Sequence, residues 1–93
     1  MITLLHFTAD WCQPCKKIKP IIEEYLEKNP EIEYVKIDIE EDFETAKNFN
    51  VMSIPTLITV ENDSVLNRHT GLADFAKIQS LFESVYHLKE SNF

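Results

Sequence analysis

The hydrophobic pattern of the first thirty residues predicts a buried strand followed by an amphipathic helix. Residues 2–8 form a continuous apolar, β-branched and aromatic run, which is typical of a strand buried on both faces. After Pro14, apolar side chains recur at the three- and four-residue spacing of a helix that ends near Asn29 and Pro30. This helical stripe consists of Ile18, Ile21, Ile22, Tyr25 and Leu26. The strand therefore leads directly into the residues at the start of the helix.

The middle of the chain predicts a second strand and a short helix. Residues 32–37 alternate apolar and polar side chains, and the strand-helix-strand order implies a right-handed parallel crossover. Acidic residues crowd positions 40–44, as suits a helix N-terminus, and Phe43, Ala46 and Phe49 then follow at helical spacing. Asn50 tolerates left-handed backbone angles and can end this helix.

The last third of the chain predicts a hairpin and a final helix. Residues 56–60 and 65–70 flank Asn62 and Asp63, which suit a tight turn between antiparallel strands. Asp74 can cap a helix, and residues 89–93 are expected to fray. The inner stripe of this helix is Phe75, Ile78, Leu81, Phe82 and Val85. The order β-α-β-α-β-β-α predicts an α/β fold in which a four-stranded mixed sheet carries helices on both faces.

Length and charge indicate one small acidic domain. With 93 residues, 44% of them hydrophobic, the chain is expected to form a single domain over residues 1–93. The formal net charge of −7 disfavours nucleic-acid binding, because it repels phosphate backbones. No run reaches the ~20 apolar residues of a membrane span, and the first ten residues lack the features of a signal peptide. We therefore expect a cytoplasmic protein with no membrane partner.

The chain has two cysteines, Cys12 and Cys15, which are separated by two residues. As a structural disulfide the pair would contribute only about 2 kcal/mol, against about 4.7 kcal/mol for a hundred-residue loop. A structural zinc site needs four ligands, and His6, His69 and His87 are scattered along the sequence. The spacing therefore favours reversible thiol chemistry over a metal site or two inert thiols.

The position of the pair predicts different roles for the two thiols. Cys12 lies at the N-terminus of the first helix, where about half a positive charge and unpaired amides stabilise a thiolate. Lys16, Lys17 and Lys19 follow within two turns, although a solvated helix face also explains these lysines. A residue at the helix start projects outward, and one three positions later turns toward the sheet. We therefore expect Cys12 to be the exposed, attacking thiol and Cys15 to be the resolving thiol.

Three segments of the chain resemble the thioredoxin family. They are residues 9–16, Ala-Asp-Trp-Cys-Gln-Pro-Cys-Lys, then Pro20 in the following helix, and residues 53–56, Ser-Ile-Pro-Thr. The likeness runs from residues 4–8 through the final helix. The chain lacks the family's first strand and helix, and this shorter form is similar to the minimal thioredoxin-like fold. It implies a thiol-disulfide oxidoreductase that reduces disulfide-containing protein substrates. It also implies recycling by a separate thioredoxin-reductase-like protein, with no bound cofactor or metal and a monomeric state.

The resemblance also implies which residues surround the thiols. Pro55 is expected to follow a cis peptide bond and to lie against the cysteine pair, beside backbone that can pair with an extended peptide. The implied substrate surface is Trp11, Pro14, Ile54, Pro55, Gly71 and Leu72, with Gln13 and Lys16 beside the thiols. In the alternative interpretation, Trp11 and Ile54 are ordinary core residues and Gly71 only serves a turn.

Several positions depart from the family's pattern. Gln13 stands where a glycine is usual, which alters the redox poise. His6 stands where the family has a buried acid that helps to move a proton at the resolving thiol. A histidine there can transfer that proton or be a neutral core residue. Lys36 matches a family lysine near the acid, but we expect no ion pair with His6, and an exposed strand lysine is the alternative. Asn62 and Asp63 replace a common turn glycine.

Two other functions fit the same residues. A glutaredoxin-like enzyme would be recycled by glutathione, but the acidic composition offers no evident site for the carboxylates of glutathione. A redox-inert binding module is the second alternative, because a fold does not dictate a function. We interpret the chain as a protein-disulfide reductase, and the sequence leaves both alternatives open.

Overall fold

The computed structural model describes the backbone of residues 1–90 and the side chains of residues 1–82. Its elements follow the predicted order, with boundaries that differ from the predicted ones by one or two residues. They are β1 (Thr3–Thr8), α1 (Gln13–Lys28), β2 (Glu33–Asp38), α2 (Phe43–Asn48), β3 (Thr56–Glu61), β4 (Ser64–Thr70) and α3 (Phe75–Glu90). Helix α3 thus extends two residues into the segment for which fraying was expected, and residues 91–93 lie outside the described part of the chain.

The four strands form one mixed sheet in the order β2-β1-β3-β4. Strand β1 pairs in parallel with β2 and antiparallel with β3, and β3 pairs antiparallel with β4. The predicted parallel crossover and hairpin are therefore confirmed. In this register His6 lies beside Lys36 of β2 on one side and Leu57 of β3 on the other.

The central strand β1 is buried on both faces of the sheet, as its apolar run predicts. On one face Leu4 packs in a cluster with residues of α1 and α3, including Ile18 and Phe82. On the other face Phe7 packs with Ala46 of α2. The two larger apolar clusters therefore lie on opposite faces of the sheet, and helices cover both faces. No helix in the described chain is long and apolar enough to cross a membrane.

Strand β2 is less buried than its alternating sequence suggests. Of its six residues only Ile37 is fully buried, while Tyr34 and Val35 are exposed. The reason is its place at the edge of the sheet, where only one neighbouring strand covers it.

The turns use the residues whose types predicted them. Asn50 after α2 has a φ of 55°, and Asn62 and Asp63 between β3 and β4 have φ values of 52° and 66°. These left-handed conformations favour asparagine, aspartate and glycine. Gly71, with a φ of 102°, adopts a conformation that residues with side chains rarely reach, so the turn after β4 requires it.

Candidate active site

The cysteine pair lies at the junction between β1 and α1. Cys12 is the N-cap residue of α1, with extended backbone angles, and its amide donates a hydrogen bond to the carbonyl of Ala9 (3.1 Å). Pro14 occupies the first turn of the helix, where its missing amide costs no helical hydrogen bond. A disulfide joins Cys12 to Cys15, whose Cα atoms are 5.3 Å apart. The local sequence therefore places both sulfurs on one helical turn, as predicted.

One backbone contact distinguishes Cys12 from Cys15. The amide of Cys15 donates a hydrogen bond to Sγ of Cys12 (3.2 Å), so Cys12 takes the capping role that serine or aspartate has in other helices. The amide dipoles at this end of α1 point at the same sulfur. Negative charge is therefore favoured at Sγ of Cys12.

The prediction that Cys12 is exposed is wrong for this oxidised form, in which Cys12 is buried. Cys12 is 4% exposed and Cys15 is 3% exposed, so exposure does not distinguish the two sulfurs. The reason is tertiary: the pair packs with Ala9 and against Ile39 and Ile54, which come from distant parts of the chain. The asymmetry lies elsewhere, because Cys15, and not Cys12, lines a half-open cavity beside the helix.

The loop before β3 reaches the cysteines through Ile54. The Ile54–Pro55 peptide bond is cis, which confirms the expectation from the resemblance. Ile54 is half-buried against the cysteine pair, and the carbonyl of Pro55 accepts a hydrogen bond from the amide of Gly71 (2.8 Å). Gly71 and the exposed Leu72 are thereby held beside the same loop.

Trp11 is a surface residue and not part of the core. Its side chain is 62% exposed, and its indole Nε1 donates a hydrogen bond to Oε1 of Glu40 (2.8 Å). Gln13, Pro14 and Lys16 are also exposed around the start of α1. The predicted residues therefore come from three separate segments of the chain, and among them Ile54 packs against the cysteine pair.

His6 lies in the sheet beneath the disulfide and borders the same cavity as Cys15. It is 2% exposed, and its Nδ1 shares a hydrogen bond with the hydroxyl of Tyr34 (2.9 Å). Its Nε2 has no hydrogen-bond partner among the residues that the structure describes. The cavity has a volume of about 170 Å³.

Burial and nearby lysines keep the His6 ring neutral. Loss of hydration, followed by the positive charges of Lys36 and Lys19, lowers the pKa of His6 from 6.5 to about 4. Lys36 is exposed next to His6 in the sheet, and it has no ion pair within the described side chains. Among the described residues no group of three or more histidine, cysteine or acidic side chains could hold a metal ion.

The lowered pKa of His6 predicts that the protein loses stability in mild acid. Between about pH 6.5 and pH 4 the unfolded chain binds a proton at His6 that the folded protein does not bind, so the free energy of unfolding falls as the pH drops. A shift from 6.5 to about 4 corresponds to a loss of roughly 3 kcal/mol in the free energy of unfolding. The loss is complete below about pH 4, where both the folded and the unfolded chain carry the proton. Urea unfolding at several pH values measures it. His6→Gln should flatten this part of the profile; a slope that this substitution leaves unchanged would contradict the assignment.

Sequence reasoning missed Tyr34, the position of Lys19 beside His6, and Glu40. Tyr34 is two residues before Lys36, so both side chains project from the same face of β2. Lys19 is four residues after Cys15, and therefore lies on the same side of α1. These periodicities could have identified the first two. No local pattern connects Glu40 to Trp11, which are 29 residues apart.

Comparisons with known proteins agree with this geometry. The family model described as Thioredoxin matches residues 1–84. A thioredoxin of Bacillus subtilis (strain 168) is 40% identical over 81 residues, which cover 86% of this chain and 78% of that protein. A thioredoxin of Chlamydia trachomatis is 36% identical over 73 residues, covering 78% of this chain and 72% of that protein.

Solved structures give the same result. The X-ray structure of Fasciola hepatica thioredoxin superposes with a TM-score of 0.81 at 26% identity, covering 88% of this chain and 79% of that one. The structure of a malarial protein superposes with a TM-score of 0.82 at 25% identity, covering 90% of this chain and 96% of that one. The chain therefore belongs to the thioredoxin family and, with its Cys12–Cys15 pair, is a dithiol thiol-disulfide oxidoreductase.

Proposed function

We propose that this protein reduces the disulfides of protein substrates and regains its electrons from a separate thioredoxin-reductase-like protein. The observation that carries the proposal is the hydrogen bond from the Cys15 amide to Sγ of Cys12, at the positive end of α1. This contact favours a thiolate at Cys12 in the reduced protein, and the thiolate is the reactive form in disulfide exchange.

In the proposed reaction the Cys12 thiolate attacks one sulfur of the substrate disulfide. A mixed disulfide forms and the other substrate sulfur leaves as a thiolate. Cys15, on the same helical turn, then attacks Sγ of Cys12, releases the second substrate thiolate and closes the Cys12–Cys15 disulfide. Two electrons pass from the cysteine pair to the substrate. The oxidised protein is the end state, and a reductase must reduce its Cys12–Cys15 disulfide before the next turnover.

We assign substrate docking to the surface around the disulfide. Trp11 and Leu72 are largely exposed, Ile54 packs against the cysteine pair, and the hydrogen bond from the Gly71 amide to the buried Pro55 holds Gly71 beside the same loop. Exposed apolar side chains beside a reactive group suit an extended segment of a protein substrate. Gln13, Pro14 and Lys16 complete the rim of this surface and would contact the same segment.

In the proposal Lys36 has a supporting role, whereas His6 does not accept the proton of Cys15. A free cysteine thiol titrates near 8.5, so transfer of its proton to an imidazole whose pKa is about 4 is uphill by about 6 kcal/mol. We therefore propose that the proton of Cys15 passes to water in the cavity. The positive charge of Lys36 beside the cavity then favours the Cys15 thiolate during the resolving step.

The remaining features of the proposal concern the protein as a whole. We propose that residues 1–93 act as a monomeric single domain, because both apolar clusters pack on one sheet. We also propose that it works in the cytoplasm, where thiol pairs are kept reduced. The electrons reside on the two sulfurs, so the reaction needs no bound cofactor or metal.

Insulin reduction with two electron sources tests the proposal. With NADPH and a thioredoxin reductase the protein should reduce insulin at least about tenfold faster than with glutathione and glutathione reductase, because disulfide exchange depends on partner recognition. Cys12→Ser with each source measures the background rate. A faster rate with glutathione would indicate a glutaredoxin-like enzyme. No reduction with either source, or with dithiothreitol, would indicate a binding module.

A further inference from the structure

Strand β2 presents an unpaired backbone edge on the side away from β1. At its two ends the amides of Glu33 and Ile39 donate hydrogen bonds toward β1 (3.1 and 3.0 Å). Because alternate residues of a parallel strand bond to the same neighbour, the N–H and C=O groups of Tyr34 and Lys36 point the other way. Within the described part of the chain no strand lies on that side, and these four groups have no backbone partner.

The second edge of the sheet, at β4, is less suited to pairing with another chain. The ladder between β3 and β4 shifts its register between Thr59 and Val60, whereas β1 and β2 keep one register over all six residues. Irregular strands discourage pairing at an edge, and regular ones permit it. The edge of β2 is therefore the better place for an added strand.

An apolar groove lies beside this edge, on the face of the sheet that α2 covers. Its volume is about 510 Å³, and its apolar lining consists of Leu5, Val35, Ile37, Phe49 and Val60. Helix α2 has only six residues, whereas α1 and α3 on the other face have 16 each, so α2 covers less of the sheet. Val35, on the edge strand itself, remains 37% exposed. An added strand would thus find an apolar pocket next to its backbone partners.

The rim of this groove is acidic. Asp42 and Asp63 line it, and the described lining includes no lysine or arginine. Neither aspartate forms an ion pair with a described side chain. Glu33 projects from β2 on the same face as Val35, because alternate residues of a strand share a face. The groove therefore complements an apolar side chain that is flanked by positive charges.

We propose that the edge of β2 binds an extended segment of a protein partner, in which an apolar residue faces the groove between two lysines or arginines. The segment becomes a fifth strand, with up to four main-chain hydrogen bonds to Tyr34 and Lys36. Its apolar side chain packs beside Val35, and the basic residues two positions away face Glu33 at one end of β2 and Asp42 at the other. The amide of Asp42 bonds to the last residue of β2 (2.8 Å), which fixes it at that end.

A second copy of this chain is a poor occupant of the same edge. It would bring an identical acidic rim and a formal net charge of −7 to a surface that is already acidic. Like charges across an interface oppose association, whereas a basic segment is attracted to the rim. Charge therefore selects a partner of different composition.

A synthetic peptide, acetyl-Thr-Lys-Thr-Leu-Thr-Lys-Thr-amide, tests the site by NMR titration of the oxidised protein. Its symmetric sequence places lysine, leucine and lysine on one face in either strand direction. We expect saturable shifts around the groove and a dissociation constant on the order of 1 mM. Amide exchange should slow at Tyr34 and Lys36 but not at Val35, whose amide already faces β1. The same peptide with glutamate at both lysine positions should bind at least about tenfold more weakly.

Three variants of the protein locate the binding. Val35→Lys should weaken it at least about tenfold, because it places a positive charge opposite the lysines of the peptide and removes the apolar contact. Val65→Lys makes the same change on β4, where Val65 is 49% exposed, and should leave the binding unchanged. Asp63→Asn keeps a residue type that tolerates the left-handed turn, and should weaken the binding severalfold.

Four outcomes would overturn the proposal. They are shifts that do not saturate by about 10 mM peptide, equal binding of the lysine and glutamate peptides, equal weakening by the two valine variants, and slowed exchange that spares Tyr34 and Lys36. Changes at these two amides on dilution of the protein alone would show that a second copy occupies the edge, and would also overturn it. No electron transfer is involved, so these results are independent of the proposed function.

Discussion

Cys12→Ser should abolish disulfide reduction, with a fall in the rate of insulin reduction of at least about 1000-fold. The reason is that a serine hydroxyl does not ionise near neutral pH and cannot form the mixed disulfide. Cys15→Ser should also stop turnover, but it should accumulate a covalent complex with substrate, because attack by Cys12 persists while resolution fails. Non-reducing electrophoresis detects this complex.

The two cysteine variants are controls for one another. Both lose the disulfide and one sulfur of the pair, so a general loss of structure would affect them alike. Trapping should occur in Cys15→Ser and disappear on addition of dithiothreitol. If instead Cys12→Ser trapped the substrate, Cys15 would be the attacking thiol. In that case the hydrogen bond from the Cys15 amide to Sγ of Cys12 would not mark the nucleophile.

Phe82→Ala should lower the free energy of unfolding by about 3–5 kcal/mol. Phe82 is 0% exposed in the cluster between the sheet, α1 and α3, and its ring stacks on Tyr25 with centroids 5.1 Å apart. Removal of the ring leaves a cavity at the place where α1 and α3 meet. Because small domains are stable by only about 5–15 kcal/mol, Tm should fall by roughly 15 °C or more. Thermal and urea unfolding measure both effects.

Phe43→Ala is the matched control for this prediction. It removes the same ring from α2, but Phe43 is 66% exposed and lies outside both core clusters. Its effect on the free energy of unfolding should stay within about 0.5 kcal/mol. Similar losses in the two variants would mean that Phe82 does not carry the packing between α1 and α3 that the structure assigns to it.

The order and type of the elements could be predicted because they depend on short-range patterns. The helical stripe from Ile18 to Leu26 and the apolar run of β1 each repeat within a few residues, and such repeats determine which face of an element is buried. The left-handed turns at Asn50, Asn62 and Asp63 were predictable for the same reason, since they depend on single residue types. The position of Cys12 at the start of α1 likewise follows from its neighbours in sequence.

The burial of the disulfide was not predictable from those patterns. Cys12 is covered because Ile39 and Ile54 reach it from loops that follow β2 and precede β3. The exposure of β2 also depends on tertiary structure, because its sequence does not state that it lies at the edge of the sheet. In each case the deciding contacts join segments that lie far apart in the sequence.

The sequence by itself therefore determined the secondary structure, the reactive cysteine pair and, through the resemblance of three segments, the family. Only the tertiary structure decided the surroundings of His6. The parallel register of β1 and β2 brings Lys36 beside it, and the packing of α1 on the sheet places Lys19 and Cys15 along the same cavity. The physical reason is range: hydrophobic periodicity acts over a few residues, whereas the pKa of a buried group depends on all charges around it, whatever their separation along the chain.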